Sequence, residues 1–144
     1  MADKVRIKLG NRPRVKKQIA AYLVARYAPG ATLAFRAVRT KTGKRTSAVY
    51  LARATSADLN EIVWLPEGGL TSLLHEIGHH RLEGHGKAKS DMDEIVNEAL
   101  AWRWAEWAAQ QENLWFDYKT ADSSFATYTR SAPIKINWRK KDVF

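Results

Sequence analysis

All four histidines of this 144-residue chain fall between positions 75 and 85, in Leu73-Leu-His-Glu-Ile-Gly-His-His-Arg-Leu-Glu-Gly-His85. The spacing inside that stretch restricts what the chain can become more than any other feature. His75-Glu76-x-x-His79 puts two imidazoles one turn apart on a helix, while Leu70, Leu73, Leu74 and Ile77 fall on the other side. The apolar side can pack as the imidazoles converge on one ion. H-E-x-x-H on a helix is a metal-site pattern in which both His bind zinc and the Glu serves as general base.

The chain contains no cysteine, which excludes thiolate metal sites, a Cys nucleophile and a disulfide framework together. Any ion must be held by His and carboxylates. Zinc suits such a set, because three protein ligands leave a fourth position open for water. Water made acidic by the metal ionises near neutral pH, and Glu76, not needed as a ligand, can take its proton. The competing reading is a solvent-facing His cluster on an ordinary helix, which makes the spacing and the apolar opposite side coincidences.

A third ligand has three candidate sources. His85 lies where an H-E-x-x-H-x-x-G-x-x-H motif has its third His, but Leu82 stands where that motif needs Gly for a sharp turn. A second helix is expected near 91–112, capped by Ser90 or Asp91, and on it Glu94 and Glu98 share a face. Glu98 is the preferred ligand, with Glu94 one turn away as its alternative. The expected set is therefore His75, His79 and Glu98, with Glu76 as the catalytic base.

His75-Glu-Ile-Gly-His79 followed by Asn97-Glu98-Ala99 resembles the gluzincin arrangement, in which a second helix carrying N-E-A supplies the third ligand. The lead Trp64-Leu-Pro66, the Leu82-x-Gly-His85 pattern and the later Glu-Ala with small and aromatic residues more closely resemble the ImmA/IrrE family of bacterial and phage zinc metallopeptidases. The likeness spans roughly residues 60–105. It implies zinc, hydrolysis of a peptide bond in a protein substrate, often a repressor, and a small sheet beside two metal-binding helices. By position it implies His75, His79 and Glu98 as ligands and Glu76 as base. The thermolysin-like gluzincins continue with an Asp that orients a ligand His; here that stretch reads Leu100-Ala-Trp102, so an orienting partner must come from elsewhere. No helix-turn-helix pattern of the kind carried by repressor-cleaving members is evident.

The expected fold is α+β: a small antiparallel or mixed sheet of about three strands beside a zincin-type pair of metal-binding helices. One domain is expected over 1–144, with 1–12 as a flexible basic leader. Pro13 opens a helix in which Val15, Ile19, Tyr22, Leu23 and Arg26 follow a helical period up to Pro29-Gly30. Segments 32–39 and 46–53 flank a Gly-bearing turn and read as a hairpin, Glu61–Leu65 as a third strand, and Ile134–Trp138 as a late strand in an otherwise irregular aromatic tail. The strand ending at Leu65 is a candidate cleft edge for an extended peptide. Trp102, Trp104 and Trp107 read as core before substrate platform, and Tyr118, Tyr128 and Arg81 are candidates to stabilise an oxyanion.

Charge divides the chain. Lys4 to Ala57 holds fourteen Lys or Arg and no acid, whereas Asp58 to Glu112 holds eleven acids against four basic residues. The basic half admits a second function, a non-catalytic zincin-fold binding module for nucleic acid or an acidic protein partner. No run approaches a membrane span and the opening residues carry no apolar signal segment, so the expected location is cytoplasmic, with no membrane partner.

Overall fold

The computed structural model describes residues 13–36, 38–39, 45–46, 48–51, 60–82, 91–130 and 136–139. The basic leader 1–12 and His85 lie outside them. The class is α+β, with helices α1 (Pro13–Tyr27), α2 (Gly69–Leu82), α3 (Asp91–Gln111) and α4 (Tyr118–Thr129). The strands are β1 (Ala31–Ala34), β2 (Val38–Arg39), β3 (Arg45–Thr46), β4 (Ala48–Leu51) and β5 (Asn60–Trp64).

β5 lies between β1 and β4, parallel to the first and antiparallel to the second. The hairpin expected between 32–39 and 46–53 does not form as one ladder. Thr32–Ala34 pairs in parallel with Glu61–Val63, and among the described residues antiparallel pairing across the turn is confined to Val38 with Thr46 and Arg39 with Arg45. The reason is visible in β5 itself, where Ile62, Val63 and Trp64 are an uninterrupted apolar run and all three are fully buried. Such a run belongs to a strand covered on both faces, which is where parallel pairing is found. Because β5 is the inner strand of the three, it is not the peptide-binding edge expected of it.

Trp64 carries the sheet into the first metal-site helix. Its indole Nε1 donates to the Gly69 carbonyl at 2.8 Å, after the 3₁₀ turn Pro66–Gly68. Gly69 has φ +76°, in the region that favours glycine, so the chain can turn there from strand direction into α2.

In α1 the buried face is Ala20, Leu23, Val24 and Tyr27, while Val15 and Tyr22 are exposed. The inward stripe is thus rotated from the expected one. α3 ends in a Schellman-type cap, with Leu114 N–H donating to the Ala109 carbonyl (2.8 Å), Asn113 N–H to that of Gln110 (3.3 Å), and Asn113 at φ 57°.

The tail read as irregular contains α4. Asp117 caps it, accepting the Thr120 N–H at Oδ1 (3.1 Å) and the Thr120 hydroxyl at Oδ2 (2.8 Å), and Ala121 and Phe125 form its buried stripe. Residues 136–138 are not a strand; Ile134 and Lys135 lie outside the described residues. Trp138 instead plugs the core, 2% exposed, with its indole N–H on Asp122 at 2.9 Å. No helix among the described residues is long and apolar enough to cross a membrane.

Candidate metal centre

α2 and α3 pack on each other more extensively than any other pair of elements, and Gly78 sets how closely. A Cβ built on Gly78 would lie 2.9 Å from the Ala101 carbonyl oxygen and 3.2 Å from the Ala101 Cα. A glycine costs roughly 0.5–1 kcal/mol against alanine inside a helix, and here it allows backbone contact between the two helices. That approach brings Glu98 to the histidines of α2. Leu73 to His79 of α2 are all buried, and α3 packs against this helix.

His75, His79 and Glu98 form one group, with a ligand atom from each lying within 4.8 Å of the others, and they could hold a metal ion. His75 Nε2 stands 3.0 Å from Glu98 Oε1, and His79 Nε2 stands 2.8 Å from Glu98 Oε2. All three are buried, at 6%, 2% and 2% exposure.

The donor set can be tested against an ion on geometry alone. Two ligands bound to zinc at about 2.0–2.1 Å in a tetrahedral arrangement stand roughly 3.3 Å apart. The observed separations are close to that. Although 3.0 Å apart, His75 Nε2 and Glu98 Oε1 are not aligned as a hydrogen bond, and each is buried with no other hydrogen-bond partner. Leaving buried polar atoms unsatisfied is costly, and a cation shared between them would satisfy both. The residues fit a metal.

Electrostatics follow from the same contacts. For His75, burial favours the neutral ring, but the carboxylates of Glu76 and Glu98 together outweigh it and raise the pKa to about 9. For Glu98, burial favours protonation, and the rings of His75 and His79 beside its two oxygens overcome it, bringing the pKa down to about 2. Burial likewise works to raise the pKa of Glu76, and the adjoining His75 holds it below the ordinary carboxylate range.

Glu76 itself sits beside the group, with Oε2 3.0 Å from His75 Nδ1. In this arrangement its carboxylate supports the ring that Glu98 meets on the other nitrogen, the placement of an orienting carboxylate. One face of the His75 ring is occupied as well, since the Trp102 indole stacks on it at 3.8 Å between centroids and 7° between planes.

Of the alternatives, Glu94 is exposed and outside the group, and His85 is outside the described residues. Among the three oxyanion candidates, the Tyr118 hydroxyl donates to Glu106. Arg81 donates to the Tyr27 carbonyl at 2.8 Å and lies over Trp104. Tyr128 responds to the centre: burial and then the charges of Glu98, Glu94 and Glu76 push its phenol pKa up, so it remains an O–H donor. Trp104 and Trp107 pack with Tyr27. On a regular α3 they point away from the Glu98 side and form no platform at the centre.

Reasoning from sequence placed His75, Glu76, His79 and Glu98 together. It missed Gly78 as the point of helix contact, although a glycine in mid-helix is itself a signal of close approach. It weighed Trp102 only as core or platform. Comparison with known proteins returns no match to any family model, curated protein or solved structure.

Proposed function

We propose that this chain is a zinc metallo-endopeptidase of the ImmA/IrrE kind, hydrolysing a peptide bond in a protein substrate. The observation that carries the reading is the convergence of His75 Nε2, His79 Nε2 and Glu98 on one buried point with Glu76 beside it. His75, His79 and Glu98 would hold the ion, which when bound supplies Lewis-acid polarisation of a carbonyl and an acidified water. Glu76 accepts the proton of the attacking water and returns it to the leaving amine, for which its carboxylate must turn from His75 Nδ1. Of the three oxyanion candidates Tyr128 is the one whose phenol is kept protonated by burial and by the charges of Glu98, Glu94 and Glu76, and it would donate to the developing oxyanion.

The test is Glu76→Gln, which preserves shape but cannot take a proton. Zinc content and fold should be retained, and hydrolysis of a denatured protein substrate should fall by roughly 10²–10⁴-fold. Unchanged activity would assign the base elsewhere.

A second reading has its own observation. Glu76 already serves as the partner of His75 Nδ1, and α1 exposes Arg14, Lys17 and Arg26 to solvent, as suits a metal-stabilised binding module. Zinc without hydrolysis, together with nucleic-acid retention that weakens steeply with salt, would favour it.

A further inference from the structure

A metal-bound histidine must hold its ring plane, because the lone pair that meets the ion lies in that plane while the torsion to the ring is soft. The usual restraint is a hydrogen bond at the far ring nitrogen. Here that bond comes from Glu76, the group the proposed reaction needs elsewhere. A base that must leave the ring in each cycle cannot also be its permanent support.

Trp102 stands four residues after Glu98, so one helix presents both to the same histidine. Its indole lies flat on His75, and it is 1% exposed. Phe116 meets it edge-on at 6.4 Å and Trp138 lies tilted to it at 6.4 Å. Packed by both rings and almost wholly buried, the indole has little room to move away from His75.

We propose that Trp102 is a positioning residue of the metal centre, whose stacked indole fixes the ring plane of His75 and so releases Glu76 from that task. The inference deepens the metal reading above and rests on it. It also supplies the orienting partner that the stretch after Glu98 lacks as a hydrogen-bonding side chain. The arrangement differs from a carboxylate restraint in a testable way: an aromatic face is needed at position 102, and apolar bulk alone does not suffice.

Cobalt(II) is the probe, titrated into the metal-free full chain, into Trp102→Phe and into Trp102→Met. Met fills irregular space but offers no flat face. The Phe variant should keep the visible band pattern and the affinity of the unaltered chain to within a few-fold. The Met variant should bind roughly tenfold more weakly, the size expected for loss of an outer partner, with altered bands. Wild-type affinity and bands in Trp102→Met would overturn the proposal while leaving the metal centre standing. No cobalt uptake by the unaltered chain would overturn the metal reading and this proposal with it. A measurement free of folding effects completes the test: in the zinc-loaded, unaltered protein the His75 ring protons should be displaced upfield by the indole ring current. Ordinary imidazole shifts would contradict the stack and the proposal.

Discussion

Gly78 on α2 and Ala101 on α3 touch through their backbones, leaving no room for a Cβ at position 78, which would fall 2.9 Å from the Ala101 carbonyl oxygen. The centre depends on this contact, since Glu98 lies one turn before Trp102 on the helix that Gly78 admits. Gly78→Ala should therefore destabilise the protein by about 1–3 kcal/mol through overpacking, despite the better helix propensity of alanine. Zinc affinity should fall with it. Thermal unfolding and a zinc titration check both, and an alanine variant more stable than the parent would show that α3 is not held by this contact.

The identity of the third ligand is decided by comparing Glu98→Ala with Glu94→Ala. Glu98 contacts both histidines, at 3.0 and 2.8 Å, whereas Glu94 is exposed one turn away. Glu98→Ala should weaken zinc binding by at least about 10²-fold, a loss beyond that of an outer partner, and Glu94→Ala by little. The reverse pattern would keep the fold and move the ligand.

Legibility from sequence followed the range of the forces involved. The helical period and the His spacing are local, so α2, α3 and the pair His75, His79 could be read directly, whereas Glu98 joins them across a helix–helix contact that local pattern leaves open to Glu94 and His85 as well. The pairing of β1 with β5 joins Ala31 to Asn60 and depends on which strand the fold covers on both faces, which no local pattern states. α4 was hidden by its aromatic residues, although Asp117 ahead of Ala121 and Phe125 is a cap followed by a helical stripe. Trp102 was ambiguous for a related reason: an aromatic on the inner face of a helix reads as core until the ring beside it is known to be His75.

Protons should accompany the metal. In the metal-free protein His75 has a pKa raised to about 9, so at pH 7 zinc must displace a proton from it. Calorimetry in buffers of different ionisation enthalpy should show release of about one proton per zinc, and affinity should rise about tenfold per pH unit until roughly pH 9. A binding enthalpy independent of buffer would contradict this.

The same shifts shape the stability of the metal-free form. His75 has a folded pKa above its ordinary 6.5, so its contribution is full below 6.5 and is lost as pH rises through about 9. Glu98 has a folded pKa below its ordinary 4.5, so its contribution is full above 4.5 and is lost as pH falls through about 2. Stability from this pair should therefore be greatest between pH 4.5 and 6.5. Denaturation midpoints that rise steadily from pH 6.5 to 9 would count against the pairing.

Tyr128→Phe removes a single O–H donor. Zinc content should be unchanged, and turnover should drop by about 10–10²-fold, below the usual oxyanion-donor loss because Tyr128 is 37% exposed. Equal turnover in the variant would remove Tyr128 from the mechanism.

Whether His75, His79 and Glu98 hold an ion is read from the metal content of protein purified without added metal. About one zinc per chain is expected, and it should be lost in Glu98→Ala. A chain that carries no zinc, and takes up none when incubated with it, would show that these three residues are not a metal site.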